Sequence, residues 1–237
     1  MEAQTASKNI TDASGKKQGY WEKTEAASGK LIYKGNFKDD APEGWFTYYY
    51  PNSDSVRSKC YFRDQGKSAK AILYHPNGKF EAKGNYKNQQ KDSIWNFYDE
   101  VGNLISIEGY KNGIKNGVSK IFYPEGKISE EKSYVAGKES GTFRQYFGDG
   151  KLKAEGRYNN GERDGLWAWY FPNGHAAAKG VFKNGIKTGL WMYREFDGKV
   201  VDKEVWVNGK KLNEKEMEEF LKKNRNYKEL GETKVKK

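Results

Sequence analysis

The hydrophobic residues of this 237-residue chain come in short runs broken by turn residues. "LWAWYF" (166–171) meets "PNG", the alternating "HAAAKGVF" follows, and "KNGIKTG" turns the chain again. Runs of that length bounded by Pro, Asn and Gly read as strands, and two of them joined by a turn read as a β-hairpin. Gly and Asn recur too densely for a sustained 3.6-residue period, which disfavours helix.

The pattern repeats. "Gly-Leu-Trp" opens this segment at 165 and returns at 189. The aromatic before each turn forms a column of Phe37, Tyr61, Tyr86, Tyr110, Tyr134, Tyr158, Phe182 and Trp206, with steps of 24 or 25. A glycine column runs Gly19, Gly44, Gly117, Gly141, Gly165 and Gly189. Two residues beyond it stand Trp21, Phe46, Trp95, Phe143, Trp167 and Trp191, while Ala71 and Ser119 interrupt that row. A fixed period in the twenties marks an array whose units bury surface against their neighbours. The expected fold is all-β. It is an elongated single antiparallel sheet, an open β-meander solenoid of about eight 24-residue hairpins with a short C-terminal capping helix.

Side chains alternate across a strand, so the register assigns faces. An even-numbered loop at 172–175 pairs Phe171 with Ala176, Trp169 with Ala178, Trp167 with Gly180 and Gly165 with Phe182. One face then sets rings against small residues, a stabilising device in sheets. Leu31, Phe80, Leu104, Ile128, Leu152 and Val200 share the Ala176 position on that face. A three-residue loop would place Lys179 and Glu155 beside the tryptophans, so the even loop is expected although Pro-Asn-Gly suits the odd one. The opposite face receives charged residues and a ladder of Tyr49, Tyr74, Tyr98, Phe122, Tyr146 and Tyr170. That ladder is the candidate partner-binding surface, with ordinary packing against Lys and Arg stems as the bland reading.

The chain ends support this layout. Asn213 is a helix N-cap with Glu216 three residues on, Leu212 and Met217 sit at staple positions, and Met217, Phe220 and Leu221 share a helical face. The expected division is a partly disordered lead over 1–18, a repeat domain over 19–210, a capping helix over 211–223 and a basic disordered tail over 224–237.

Composition adjusts the picture. Hydrophobic residues make up 35% and charged residues 32%, values that lean toward disorder, but an aromatic content of 15% supplies large rings to bury. The net charge of +11 suits an anionic surface, yet basic and acidic residues are interleaved, as in "EGRYNNGERDG". Nucleic acid is therefore disfavoured and an anionic membrane stays as an alternative. Cys60 is the only cysteine, which excludes a disulfide within the chain and a zinc cluster. His75 and His175 both sit at turn signals. No catalytic, metal or cofactor motif is present. "GDG" (148–150) and "FDG" (196–198) lack the ligand density of a calcium loop and read as turns. Glu130 and Glu131 are adjacent on a strand and point to opposite faces, so they do not converge as an acid/base pair.

"GRYNNGERDGLW" from Gly156 resembles the MORN repeat, as do "GVFKNGIKTGLW" from Gly180 and "KSYVAGKESGTF" from Lys132. The resemblance spans roughly 19–210. Trp167, Trp191 and Phe143 stand where the common motif has a second glycine, and the period is one residue longer. Both features resemble the bacterial variant often labelled an antitoxin-type repeat protein. The family implies an antiparallel sheet that serves as scaffold or adaptor, with lipid binding proposed in some members. The expected function is a non-catalytic scaffold that docks a protein through a sheet face or the free N-terminal edge, with no enzyme activity and no small-molecule substrate. Anionic-membrane or nucleic-acid binding, inhibition of a partner toxin and cell-wall glycan binding are the alternatives. The short polar start and the resemblance tilt the expected location to the bacterial periplasm or envelope, with the cytoplasm as alternative.

Overall fold

The computed structural model describes residues 7–224. The described residues form two compact units that meet in sequence between Gly126 and Lys127. In the first unit the strands are β1 (Ile10–Thr11), β2 (Lys17–Thr24), β3 (Leu31–Lys38), β4 (Ala41–Tyr49), β5 (Val56–Arg63) and β6 (Ser68–Tyr74). They continue with β7 (Phe80–Lys87), β8 (Gln90–Tyr98), β9 (Leu104–Lys111), β10 (Ile114–Lys115) and β11 (Gly117–Phe122). The second unit holds β12 (Ile128–Val135), β13 (Lys138–Tyr146), β14 (Leu152–Asn159), β15 (Glu162–Arg163) and β16 (Gly165–Tyr170). It ends with β17 (Ala176–Lys183), β18 (Ile186–Arg194), β19 (Val200–Val207), β20 (Lys210–Lys211) and the helix α1 (Glu214–Lys223).

The fold is all-β, with an open antiparallel meander in each unit. Neither meander closes into a barrel among the described residues. The expected hairpins are present: β2/β3, β4/β5, β6/β7 and β8/β9 in the first unit, and β13/β14, β16/β17 and β18/β19 in the second. The pieces β10 and β11 amount to one strand broken at Asn116, and β15 and β16 to one broken at Asp164.

Successive hairpins are joined by two-residue turns whose central residues both have positive φ, such as Asn184 (50°) with Gly185 (75°) and Asn208 (49°) with Gly209 (77°). That is the turn whose twist matches a hairpin, and it explains the recurring Asn-Gly. One turn later the glycine column makes a bulge. Gly189, at φ 66°, Leu190 and Trp191 together stand against Gly180, and the register shifts there. The same shift occurs at β3/β4, β7/β8 and β12/β13. At β5/β6 it does not: Ser58 to Arg63 pair regularly with Leu73 to Ser68. Ala69 holds the glycine place there, and a residue with a Cβ resists left-handed backbone. The turn before it instead takes four residues, with the Lys67 N–H donating to Asp64 O at 3.1 Å.

The expected even loop at 172–175 is corrected. The loop is Pro172-Asn173-Gly174, three residues, closed by the Phe171 N–H donating to His175 O at 2.8 Å with Gly174 at φ 87°. Tyr170, not Phe171, pairs with Ala176. A second bulge then absorbs the odd residue, so Trp169 still meets Ala178, Trp167 meets Gly180 and Gly165 meets Phe182. Every other hairpin contained in one unit shifts at the same place. This moves the Ala176 position to the tyrosine face: Phe80 pairs with Tyr74, Leu104 with Tyr98, Leu152 with Tyr146 and Val200 with Arg194.

The sheet ends are covered by short returns. Inside the expected N-terminal lead, Ile10 and Thr11 pair with Gln18 and Lys17, the Asn9 N–H donates to Tyr20 O, and Lys8 bridges Glu22. The edge of β2 expected to be free is thus partly occupied, which suppresses strand-to-strand association. At the other end β20 pairs back on β19, and Leu212 N–H donates to Val205 O before α1 begins. Asn213 and Glu216 form the expected capping box, and Met217, Phe220 and Leu221 are half-buried. The expected disorder of the tail falls almost wholly on 225–237, outside the described residues.

Candidate functional site

The ring face is the core of both units. Trp95 and Trp167 are almost fully buried, as are Phe46 and Trp191. Each of these rings lies on a glycine of the preceding hairpin: Phe46 on Gly35, Trp95 on Gly84, Trp167 on Gly156 and Trp191 on Gly180. A Cβ on Gly84 would overlap Trp95 Cδ2. The sequence reading placed glycine and ring within one hairpin; Trp167 does oppose Gly180 across the strands, but the bulge carries its ring back onto Gly156. The indole N–H then finds the next carbonyl, Trp95 Nε1 donating to Asn85 O at 3.0 Å and Trp167 Nε1 to Arg157 O at 3.1 Å. Trp21 has no complete hairpin before it among the described residues, and Ile10 O of the short β1 serves it at 3.1 Å.

Aromatics on either side complete each unit. Tyr158 and Phe182 meet Trp167 edge-on at 5.1 and 6.1 Å, and Phe182 meets Trp191 at 4.9 Å. Tyr61 is corrected. It faces Trp45 at 5.3 Å, away from the core, and Phe62 opposite Gly44 takes its place in the column. A row of cations was missed in the sequence. Lys17, Lys91, Arg163 and Lys187 each stand four residues before a tryptophan and lie 4.4–4.9 Å from its ring centroid. The signal was a cation four residues before every tryptophan of the row.

Charged residues on this face are paired. Glu204 occupies a glycine-equivalent position with 13% of its side chain exposed. It accepts hydrogen bonds from Tyr193 Oη (2.8 Å), Trp206 Nε1 (2.9 Å) and Lys211 Nζ (2.7 Å). Burial works against its charge, but these donors and Lys187 prevail and hold the carboxyl at about 2. Four repeats earlier, Glu108 is held in the same way by Tyr110 and Lys115. Lys132 lies between Glu139 (3.0 Å) and Glu130 (3.1 Å), which outweigh its burial and raise its pKa.

The opposite face carries the predicted ladder, and all of its members are half-buried. In the first unit Tyr74 and Tyr98 flank Phe80 at 5.6 and 6.2 Å, Lys83 lies over Phe80, and Lys34 stands 6.0 Å from the Tyr49 ring. Phe122 continues the row on β11. In the second unit Tyr146 Oη donates to Glu131 (3.2 Å) and Tyr170 Oη to Glu155 (2.7 Å). Burial first, then these carboxylates, push both phenols upward. Next to the ladder, the bulges present a row missed in the sequence: Trp45, Ile94 and Val118 in the first unit and Leu166 in the second, each at least half exposed. Its 24-residue step was visible, but nothing in the sequence told which bulge residue faced water.

Loop tips are tied to the next loop. His75 Nε2 lies 3.0 Å from Tyr98 O, and Asn77 donates to Glu100 O. In the second unit Asn173 donates to Phe196 O, and His175 Nδ1 lies 3.2 Å from the same oxygen. Both histidines thus act on backbone. Asp149 and Asp197 accept from Lys151 and Lys199 N–H in their own turns, as turn chemistry requires.

Four segments match the family model of the MORN repeat variant: residues 68–88, 115–136, 139–160 and 163–184. Comparison with curated proteins gives no match. Among solved structures, the chain is similar to the Photorhabdus luminescens Tc holotoxin pore at 13% identity and a TM-score of 0.20, with 81% of this chain and 12% of that one covered. It is similar to TcdB2–TccC3 at 12% identity and a TM-score of 0.21, with 79% and 13% covered. The chain therefore spans about an eighth of the length of these structures.

Proposed function

We propose that this chain, a MORN-repeat protein, is a non-catalytic scaffold that docks a protein partner on its tyrosine face. MORN repeats form a non-enzymatic family whose members generally mediate protein or membrane interactions. The observation that carries the reading is the apolar stripe on that face in each unit. The loop-proximal bulges add Phe80, Leu104 and Leu152 to the ladder, and the glycine bulges expose Trp45, Ile94, Val118 and Leu166 beside it. Large apolar residues repeated on a face with a polar surround suit a protein interface. With the N-terminal edge partly occupied, the face is the better surface of the two expected.

Two variants test it, Trp45→Ala with Tyr98→Ala, and Tyr146→Ala with Leu166→Ala. Both leave the ring face untouched. A partner recovered by tagged wild-type protein is then titrated against each. The expected loss is about tenfold or more for at least one variant, since a buried aromatic anchor contributes more than about 1 kcal/mol. Unchanged affinity for both, with native circular dichroism, rejects the tyrosine face as the docking surface.

A further inference from the structure

At one of the two gaps in the ring row, the residues that would flank a ring line a hollow. Ala71 stands where sister repeats have Trp95, Trp167 and Trp191, yet the surrounding socket is kept. Lys67 precedes Ala71 by four residues, as Lys91 precedes Trp95. Phe62 and Tyr86 hold the two wall positions that Tyr158 and Phe182 hold about Trp167. Together with Tyr48, Cys60 and Ala69 they line a hollow of about 290 Å³. That is near the lower bound of small-ligand cavities, enough for one planar ring system. Arg57 joins Lys67 in the lining, and no acid does. The floor is Cys60 where ring-bearing repeats have glycine, so a ring entering here would rest higher than an internal tryptophan and stay accessible from solvent.

We propose that this hollow receives a tryptophan side chain carried by an acidic segment of a protein partner. The occupant is argued from the chain itself: the same kind of wall and the same cation row enclose an indole in three sister repeats. Aromatic walls offer edge-on contacts to a ring, and Lys67 offers its charge to the ring face, as Lys91 does to Trp95 at 4.9 Å. The two cations in a lining that holds no acid select acidic neighbours for the tryptophan. Only the source of the ring rests on the scaffold reading; the hollow lies on the ring face, apart from the tyrosine stripe.

The test is an amide NMR titration of the full chain with three probes: acetyl-Glu-Trp-Asp-amide, its alanine counterpart acetyl-Glu-Ala-Asp-amide, and indole-3-acetate. The tryptophan peptide is expected to shift the amides of Cys60, Ala69 and Tyr86, saturating in the low-millimolar range, and the alanine peptide to bind at least tenfold more weakly. The double variant Cys60→Gly with Ala71→Trp, which rebuilds the internal ring, is expected to lose the response. Should it fail to fold, Tyr86→Leu, which removes one wall, is expected to weaken binding at least threefold. No shift from any probe overturns the receptor. A response to indole-3-acetate alone overturns the assignment to a protein segment. No native partner is needed, so failure here leaves the tyrosine-face test standing, and the converse holds.

Discussion

Across the ring row, the size of one residue answers the size of another. Gly35, Gly84, Gly156 and Gly180 carry Phe46, Trp95, Trp167 and Trp191, whereas Cys60 faces Ala71, and Glu108 and Ser119 each adjoin the pair Ile107–Lys120. The interruptions visible in the sequence are thus matched by larger residues on the strand before. Adding a methyl at Gly84 is expected to lower stability by about 1–3 kcal/mol, and Trp95→Ala by about 3–5 kcal/mol. The double variant should cost clearly less than the sum, because the methyl clashes only with the ring; urea unfolding of all three gives the coupling. Ser93 takes the glycine-bulge place at φ 61°. Ser93→Gly is expected to raise stability by about 0.5–1 kcal/mol, and Ala69→Gly, at a place without the bulge, to give no such gain. The glycines and tryptophans were legible because their spacing is nearly constant. Tyr61 was misread because Phe62 adjoins it, and steps of 24 then 25 fit as well as 25 then 24 until the pairing with Gly44 decides.

At the level of elements, two irregularities hid the true register. A three-residue loop and a one-residue bulge cancel, so the central pairs came out right from a wrong loop. The positions nearest the loop, Phe80 and Leu152 among them, then landed on the wrong face. A strand pattern records parity at its middle and not the residue at which parity changes. The helix was plainer, since Asn213 and Glu216 signal a capping box without tertiary context. The cluster on β19 makes a pH prediction. Glu204 is depressed to about 2 from an ordinary 4.5, so its stabilising effect is complete above about pH 5 and is lost as pH falls through about 2. Glu204→Gln is expected to cost about 1–3 kcal/mol at pH 7, and the gap from wild type should close as pH approaches 2. Denaturant midpoints from pH 7 to pH 2 measure it.

Over the whole molecule, stability follows the rings. Ala71 carries no ring of its own, and backbone amides of Ala69 to Ile72 are expected to exchange with deuterium faster than those of Trp167 to Trp169. Part of the +11 charge is engaged within the sheet: Lys17, Lys91, Arg163 and Lys187 lie over rings, and Lys132 and Lys211 hold carboxylates. The tyrosine row was legible as a row; its mixture of half-buried phenols and exposed bulge residues depended on bulge geometry. Those same bulges govern how such a chain can change length. Each repeat restores its own parity before the next Asn-Gly turn, so excising residues 160–183 would join Asn159 to Asn184 and lay Trp191 on Gly156. That protein should keep a cooperative thermal transition, while excision of 161–183, one residue fewer, should melt far lower or not fold. Whole repeats are therefore the natural unit of gain and loss, and a slip of one residue is absorbed only where the turn changes with it, as at 64–67, where four residues replace two.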